Sequence, residues 1–368
     1  MSGSASTPLD PRTGRSRRMT LAIGVCALAT AGAAPRDVAD VRVVLARAPT
    51  ATIQQGSLKA VIALPDPDKG FYRGTRFDWS GMIVEVQAGG TRFYGPWFDG
   101  IAANVRDFID SGTTLVVGPQ TSATGPAEEF FGPAAAPVPG YGEAPVGGTF
   151  IKIGVGRLRK ADDRPYDRFR GYNVVDGGTW KVSRTGSSVA FRQEIVPDAA
   201  GYGYRYEKTV RLARGGVLEI AHRLVNTGSK RVVTEVYNHN FTRFDDRDIG
   251  PEVSVEYPYP LTSPTSTPQL AEVEGSTLRY RSGLAAGERV TLAPDGFTQD
   301  ARTSGFTING PGGAQVHASS DTPIVSSQLW SVRTVVSVEP FTAIDLAPGA
   351  EKRWVWRYSF KAGDAPRP

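Results

Sequence analysis

From Thr149 onward the chain is a run of short segments that alternate apolar and polar residues. Each ends at Gly, Asp, Asn or Pro, and none repeats its apolar residues at helical spacing. The segments fall at 149–155, 178–184, 188–195, 202–212, 217–226 and 232–241. After a Pro/Ser/Thr-rich break at 258–268 they resume at 278–280, 289–292, 306–309, 315–319, 324–330, 334–339 and 353–360. Strands at this spacing, with no helices between them, predict an all-β fold, a sandwich or barrel of antiparallel strands. The 42 Gly and 27 Pro supply the turns, and 40% hydrophobic residues suffice for a sizeable core. With no exact repeat and no clear linker, residues 34–368 read as one domain.

The first half is less regular. Residues 34–53 read as a flexible lead-in and 57–64 as a first strand. Residues 82–87 and 91–94 form a hairpin across Ala88-Gly89-Gly90. Residues 101–109 read as a short helix or an irregular excursion. The Gly-, Pro- and Ala-rich stretch 118–148 reads as a long loop carrying two adjacent carboxylates, Glu128 and Glu129.

Residues 1–33 have the form of an export signal. Arg12, Arg15, Arg17 and Arg18 make a basic region, 21–31 is a short apolar run, and Ala31-Gly32-Ala33 is a small-residue cleavage site. Ser16-Arg17-Arg18 fits a twin-arginine signal, and an ordinary secretory signal fits as well. The run is too short to span a bilayer, so the expected location is periplasmic or secreted, with no membrane insertion after signal removal. The formal charge of +5 includes four Arg and one Asp of this segment; the remainder has 38 basic against 36 acidic side chains. No basic block remains to argue for nucleic acid. The single Cys, Cys26, lies in the apolar run, so no disulfide is expected in the mature chain.

The chemistry concentrates in residues 217–245. They read as a strand, a turn at Asn226-Thr227-Gly228-Ser229-Lys230, and a return strand, as in a hairpin. On the return strand Val233, Glu235, Tyr237, His239 and Phe241 share one face, while Asn238 and Asn240 point the other way. His239 is a candidate general acid, since imidazole titrates near neutrality, and the two Asn are candidate hydroxyl binders. Glu339, at the end of an apolar strand against Pro340 and Phe341, is a candidate base with a raised pKa. Arg73, Arg76, Asp78 and Trp79 combine an aromatic face with donor forks and a carboxylate, the set a sugar ring needs. Lys152 alternates with apolar neighbours and is a weaker candidate to face a cleft. Each of these also fits a structural role: a core Trp, a His bonded to its Asn neighbours, a solvated Glu. The three His lack metal-ligand spacing, and no nucleophile elbow or phosphate loop occurs. No metal is expected.

Two stretches carry a resemblance. Asn226-Thr227-Gly228-Ser229-Lys230 leading to Asn238-His239 resembles the signature of the aldose 1-epimerase, or galactose mutarotase-like, superfamily. So does Val338-Glu339 followed by Leu346-Ala347-Pro348-Gly349 and Trp354–Phe360. The resemblance implies a β-supersandwich with a mono- or oligosaccharide site on its concave face and no cofactor. It further implies that Glu339 takes the proton of the anomeric hydroxyl while His239 protonates the ring oxygen. The chain departs from the pattern in two places. Asn238-His239-Asn240-Phe241-Thr242 stands where the family usually reads Asn-His-x-Tyr-Phe-Asn, and no His precedes His222. Arg76, or Glu128 and Glu129, would have to fill the space of the family's earlier His pair. The fold also hosts other activities, so two rival readings stand: a glycan-cleaving hydrolase or lyase, and a non-catalytic carbohydrate-binding protein. The hydrolase would need Glu128 or Glu129 about 5–10 Å from Glu339.

Overall fold

The computed structural model describes residues 37–132 and 136–364; the expected export signal lies outside them. Alternation shapes the centre of the molecule. Tyr204–Ala213 buries Tyr204, Tyr206, Lys208, Val210 and Leu212 on one face; Val217–Asn226 buries Leu218, Ile220, His222 and Leu224. These strands pair with each other, and Val217–Asn226 also pairs with Glu351–Lys361. Around them runs a ten-stranded antiparallel sheet from Thr179–Arg184 at one edge to Ala271–Glu274 at the other.

A five-stranded antiparallel sheet packs over it. Its order is Val290–Leu292, Ser326–Val332, Val335–Leu346, Val232–Phe241 and Gly125–Phe131. Val232, Val236, Val336, Val338 and Ile344 of this sheet join Leu218, Ile220, Trp354 and Trp356 of the large one in a single apolar core. This is the all-β, antiparallel sandwich that the strand spacing predicts. A second core lies on the other face of the five-stranded sheet, where Phe77, Trp79, Trp97 and Phe150 pack with Phe241 and Val335. Both faces of the small sheet are therefore covered, and the outer one holds the candidate site. No helix among the described residues is long and apolar enough to cross a membrane.

Four expectations change. Val217–Asn226 and Val232–Phe241 are not a hairpin, because they belong to different sheets. The Asn226 side chain secures the crossing. Its Nδ2 donates to the carbonyls of Lys230 (2.8 Å) and Leu346 (2.9 Å), and its Oδ1 accepts from the Gly228 amide (3.0 Å). Within the expected lead-in, residues 37–53 are not loose. They hold a helix, Val41–Arg47, N-capped by Asp40, and a strand, Thr50–Gln55. Between 101 and 109 there is no helix; Gly100–Ile101 and Phe108–Asp110 are short strands.

The Gly/Pro-rich stretch contains the fourth surprise, the strand Gly125–Phe131. It pairs with the His239 strand from Glu235 to Phe241 and sets Glu128 opposite Asn238 and Ala127 opposite His239. Successive residues of a strand face opposite ways, so Glu128 and Glu129 enter different environments.

Candidate functional site

The outer face of the five-stranded sheet presents Tyr237, His239 and Phe241 from one strand beside Ser337 and Glu339 from the next. Period two puts all of them on one side. His239 Nε2 lies 3.2 Å from Glu339 Oε1, and His239 Nδ1 is 2.8 Å from Ser337 Oγ. The imidazole stacks on Phe241 (3.7 Å between ring centres) and meets the edges of Phe77 and Trp330. His239 is 6% exposed and Glu339 5%.

This apolar enclosure decides the protonation. Burial, reinforced by Arg76 and Arg168, pushes the His239 pKa well below its ordinary value. Burial raises the Glu339 carboxyl to about 8, against the opposing pull of the same two arginines. At neutral pH the pair is therefore a carboxylic acid beside a neutral imidazole, with one exchangeable proton between them.

Next to the pair is a cationic cluster around Glu129. The Arg76 Nε donates to Glu129 Oε2 (2.7 Å), and Arg168 Nε lies 3.2 Å from Oε1. Lys152 Nζ donates to Oε1 at 3.4 Å and to the Phe130 carbonyl. Tyr237 ties the cluster together, donating to Glu129 Oε2 (2.6 Å) and accepting from Arg76 Nη2 (2.9 Å). Burial works against the Glu129 charge, but Arg168, Arg76 and Lys152 overcome it and bring the carboxyl down to about 2. Burial also lowers Lys152 to about 8, despite Glu129.

On the opposite face, between the sheets, lies a separate polar cluster. Lys208 is ion-paired with Glu128 and reaches Asp78 Oδ2 at 3.5 Å. His222 Nε2 is 3.0 Å from Glu128 Oε1, and Asn238 Nδ2 donates to that same oxygen at 3.2 Å. The His222 ring stacks on Trp354 (4.6 Å). Asp78 also accepts from Ser80 and from Tyr206 (3.1 Å), while Asn240 accepts from Tyr358 (2.9 Å).

The structure thus divides the sequence candidates. Arg76, Glu129 and Lys152 join His239 and Glu339 on the outer face. Asp78, Glu128, Asn238 and Asn240 do not: they belong to the inter-sheet cluster, linked through Lys208 and Tyr358. Trp79 lies in the second core, its indole donating to the Gly74 carbonyl (2.7 Å). Sequence reasoning missed Arg168, Tyr237, Ser337, Lys208 and His222 as members of either cluster. Lys208 and His222 did carry a signal, for both occupy inward positions of otherwise apolar alternations. Beside the outer cluster a cleft of about 370 Å³ is lined by Arg106, Gln120 and Phe169, and the Arg76 guanidinium sits 4.7 Å from the Phe169 ring. Among the described residues no group of three or more His, Cys, Asp or Glu gathers as metal ligands do.

No family model matches the chain, and no curated protein matches it. Solved structures do resemble it. A galactose mutarotase related enzyme from Lactobacillus acidophilus is 12% identical, with a TM-score of 0.49, covering 86% of this chain and 98% of that one. A galactose mutarotase-like protein from Clostridium acetobutylicum is 10% identical, with a TM-score of 0.48, covering 89% and 99%. A third, from Lactobacillus casei, is 14% identical, with a TM-score of 0.45, covering 85% and 100%. At these identities and TM-scores the likeness bears on neither activity nor substrate.

Proposed function

We propose that this chain is an exported protein that interconverts the anomers of an aldose, with His239 and Glu339 as its acid–base pair. The observation that carries this reading is the 3.2 Å approach of His239 Nε2 to Glu339 Oε1 in a desolvated site, from residues a hundred positions apart. Anomer interconversion needs one proton removed from the anomeric hydroxyl and one delivered to the ring oxygen. Both oxygens sit on the same carbon, so an acid and a base this close serve both. The ring opens, the C1–C2 bond rotates, and the reverse transfers close it.

The resting protonation places the transferable proton on Glu339 and the free lone pair on His239. Passing that proton across the contact gives the arrangement the resemblance implies, with Glu339 as base and His239 as acid. The two forms have the same proton count, so the reaction ends with the pair as it began. Export is supported by the basic, apolar and small-residue pattern of residues 12–33.

Glycoside cleavage is less well served. It asks for a second carboxyl free to act as acid or nucleophile. Glu128 faces the other side of the sheet, and Glu129 is held ionised by three cations.

The test is anomer interconversion of a panel of aldoses, followed by polarimetry or NMR. Wild type should accelerate it for at least one sugar, and Glu339→Gln should lose at least about a hundredfold of that rate. The kcat/KM profile should fall as pH rises through about 8, where Glu339 gives up its proton. It should be flat through 6.5, because His239 protonates only well below that value. No acceleration on any sugar would sink the proposal, and a rate that survives Glu339→Gln would remove Glu339 from it.

A further inference from the structure

The charges around Glu129 do not balance. Arg76, Arg168 and Lys152 converge on one carboxylate, which leaves two positive charges in excess. The next groups outward cancel in pairs, Arg106 with Asp167 and Arg289 with Asp107. Asp107 also acts on Arg76, but burial raises its carboxyl; Glu339 is protonated at neutral pH, and His239 carries no charge there. Buried charge of one sign is costly unless something pairs with it. Among the described residues Arg168 has no ion-pair partner but Glu129.

The excess is also reachable. The Arg168 side chain is 27% exposed, whereas Arg76 and Lys152 are nearly sealed at 8% and 0%. Arg168 lies over the rings of Phe131 (4.7 Å) and Tyr237 (5.5 Å), which hold its guanidinium plane against the sheet. The ring of that Tyr237 is 6.0 Å from the His239 ring. Tyr237 therefore stands between this guanidinium and the acid–base pair. Guanidinium is the donor suited to a carboxylate or phosphate, because its parallel N–H groups match two oxygens at once.

From this geometry we infer that the sugar taken by the site is an anion, a sugar acid or sugar phosphate, with its charged group seated on Arg168. The inference rests on the proposed function for its sugar and on the charge count for its anion. A neutral aldose would leave the excess charge uncompensated. An anionic one neutralises part of it and leaves its anomeric centre toward His239 and Glu339.

Calorimetric titration of the full chain with D-glucose, D-glucuronate and D-glucose 6-phosphate at pH 7 tests this, beside Arg168→Met and Arg168→Lys. At least one anionic sugar should bind about tenfold or more tighter than D-glucose. Arg168→Met should bring the ratio to about threefold or less, and Arg168→Lys should retain only part of it, since the charge stays but the paired N–H groups do not. Which anion wins separates a carboxylate seat from a phosphate seat. Equal or tighter binding of D-glucose, no binding of either anion, or a preference unchanged in Arg168→Met would each overturn the inference. Binding of an anionic sugar without faster anomer interconversion would leave this inference standing and remove the catalytic reading. Acceleration for D-glucose with no anion preference would do the reverse.

Discussion

Lys208→Met is expected to cost about 3–5 kcal/mol of folding stability, the range seen when one member of a buried ion pair is removed. Among the described residues Lys208 is the only Lys or Arg within ion-pair distance of Glu128 and Asp78, all three being at most 2% exposed between the two sheets. Burial opposes the Glu128 charge, but Lys208 and His222 outweigh it and hold that carboxyl below its ordinary value. Burial dominates at Asp78, whose carboxyl is raised even with Lys208 beside it. Met fills the space of the lysine stem and removes only the charge, so packing loss stays small. What remains is a sealed carboxylate with His222 and Asn238 as its partners. Glu128→Gln in the same background should recover part of the loss, because an amide is cheaper to bury than an unpaired carboxylate. Urea unfolding of the single and double variants measures both terms. A single variant within about 1 kcal/mol of wild type, or a double variant less stable than the single, would show that the cluster does not work as a charge pair.

That cluster also shows where sequence reasoning reached its limit. Period two placed Tyr237, His239 and Phe241 on one face and Asn238 and Asn240 on the other, and the structure has them so. Periodicity says which residues share a face, but not what that face meets. Asn238 and Asn240 face the large sheet and its Tyr358, not a pocket, because the strand after Asn226 crosses to a second sheet. A tight turn within one sheet and a crossing between two look alike as Asn-Thr-Gly. Only the carbonyl of Leu346, 120 residues away, tells them apart.

Glu128 and Glu129 were hidden for a different reason. Gly125 and Pro126 open their strand, and such residues read as loop. The Gly125 φ of 63° is what lets the chain turn into that strand, and a Cβ there would fall 2.5 Å from the Ile83 carbonyl oxygen. Once the segment is a strand, adjacency means opposition. One carboxylate supports the core, and the other gathers the cations of the outer face. The pairing of Glu339 with His239 was legible only through the family resemblance, since no local pattern links residues a hundred positions apart. Arg168 had no pattern at all, because it comes from an irregular segment held against the sheet by aromatic rings.

Glu339→Gln is expected to stabilise the fold as it abolishes the chemistry. The Glu339 carboxyl has an ordinary pKa of 4.5 and is raised to about 8 in the folded chain, by burial first. The unfolded chain therefore releases this proton from pH 4.5 upward, while the folded chain keeps it to about pH 8. Folding stability from this group is complete below 4.5, falls as pH rises, and levels off above about 8. Each pH unit crossed in that window costs about 1.4 kcal/mol. The accumulated penalty is about 3 kcal/mol at pH 7 and about 4–5 kcal/mol at pH 9. Gln has the shape of the protonated acid and no proton to lose, so the variant escapes the penalty. The stability of Glu339→Gln relative to wild type should be near zero at pH 4.5 and should climb steadily to pH 8. His239 does not disturb this comparison. Its lowered pKa costs stability only as pH falls below about 6.5, and it does so in both proteins. Denaturant midpoints at pH 5, 7 and 8.5 check the slope. A difference that is independent of pH, or a variant less stable than wild type at pH 8.5, would mean that Glu339 carries its charge in the folded chain. The pair would then rest as carboxylate and imidazole with no proton between them. Nothing in it could protonate a ring oxygen, so the stability measurement, made without any sugar, bears directly on the proposed chemistry.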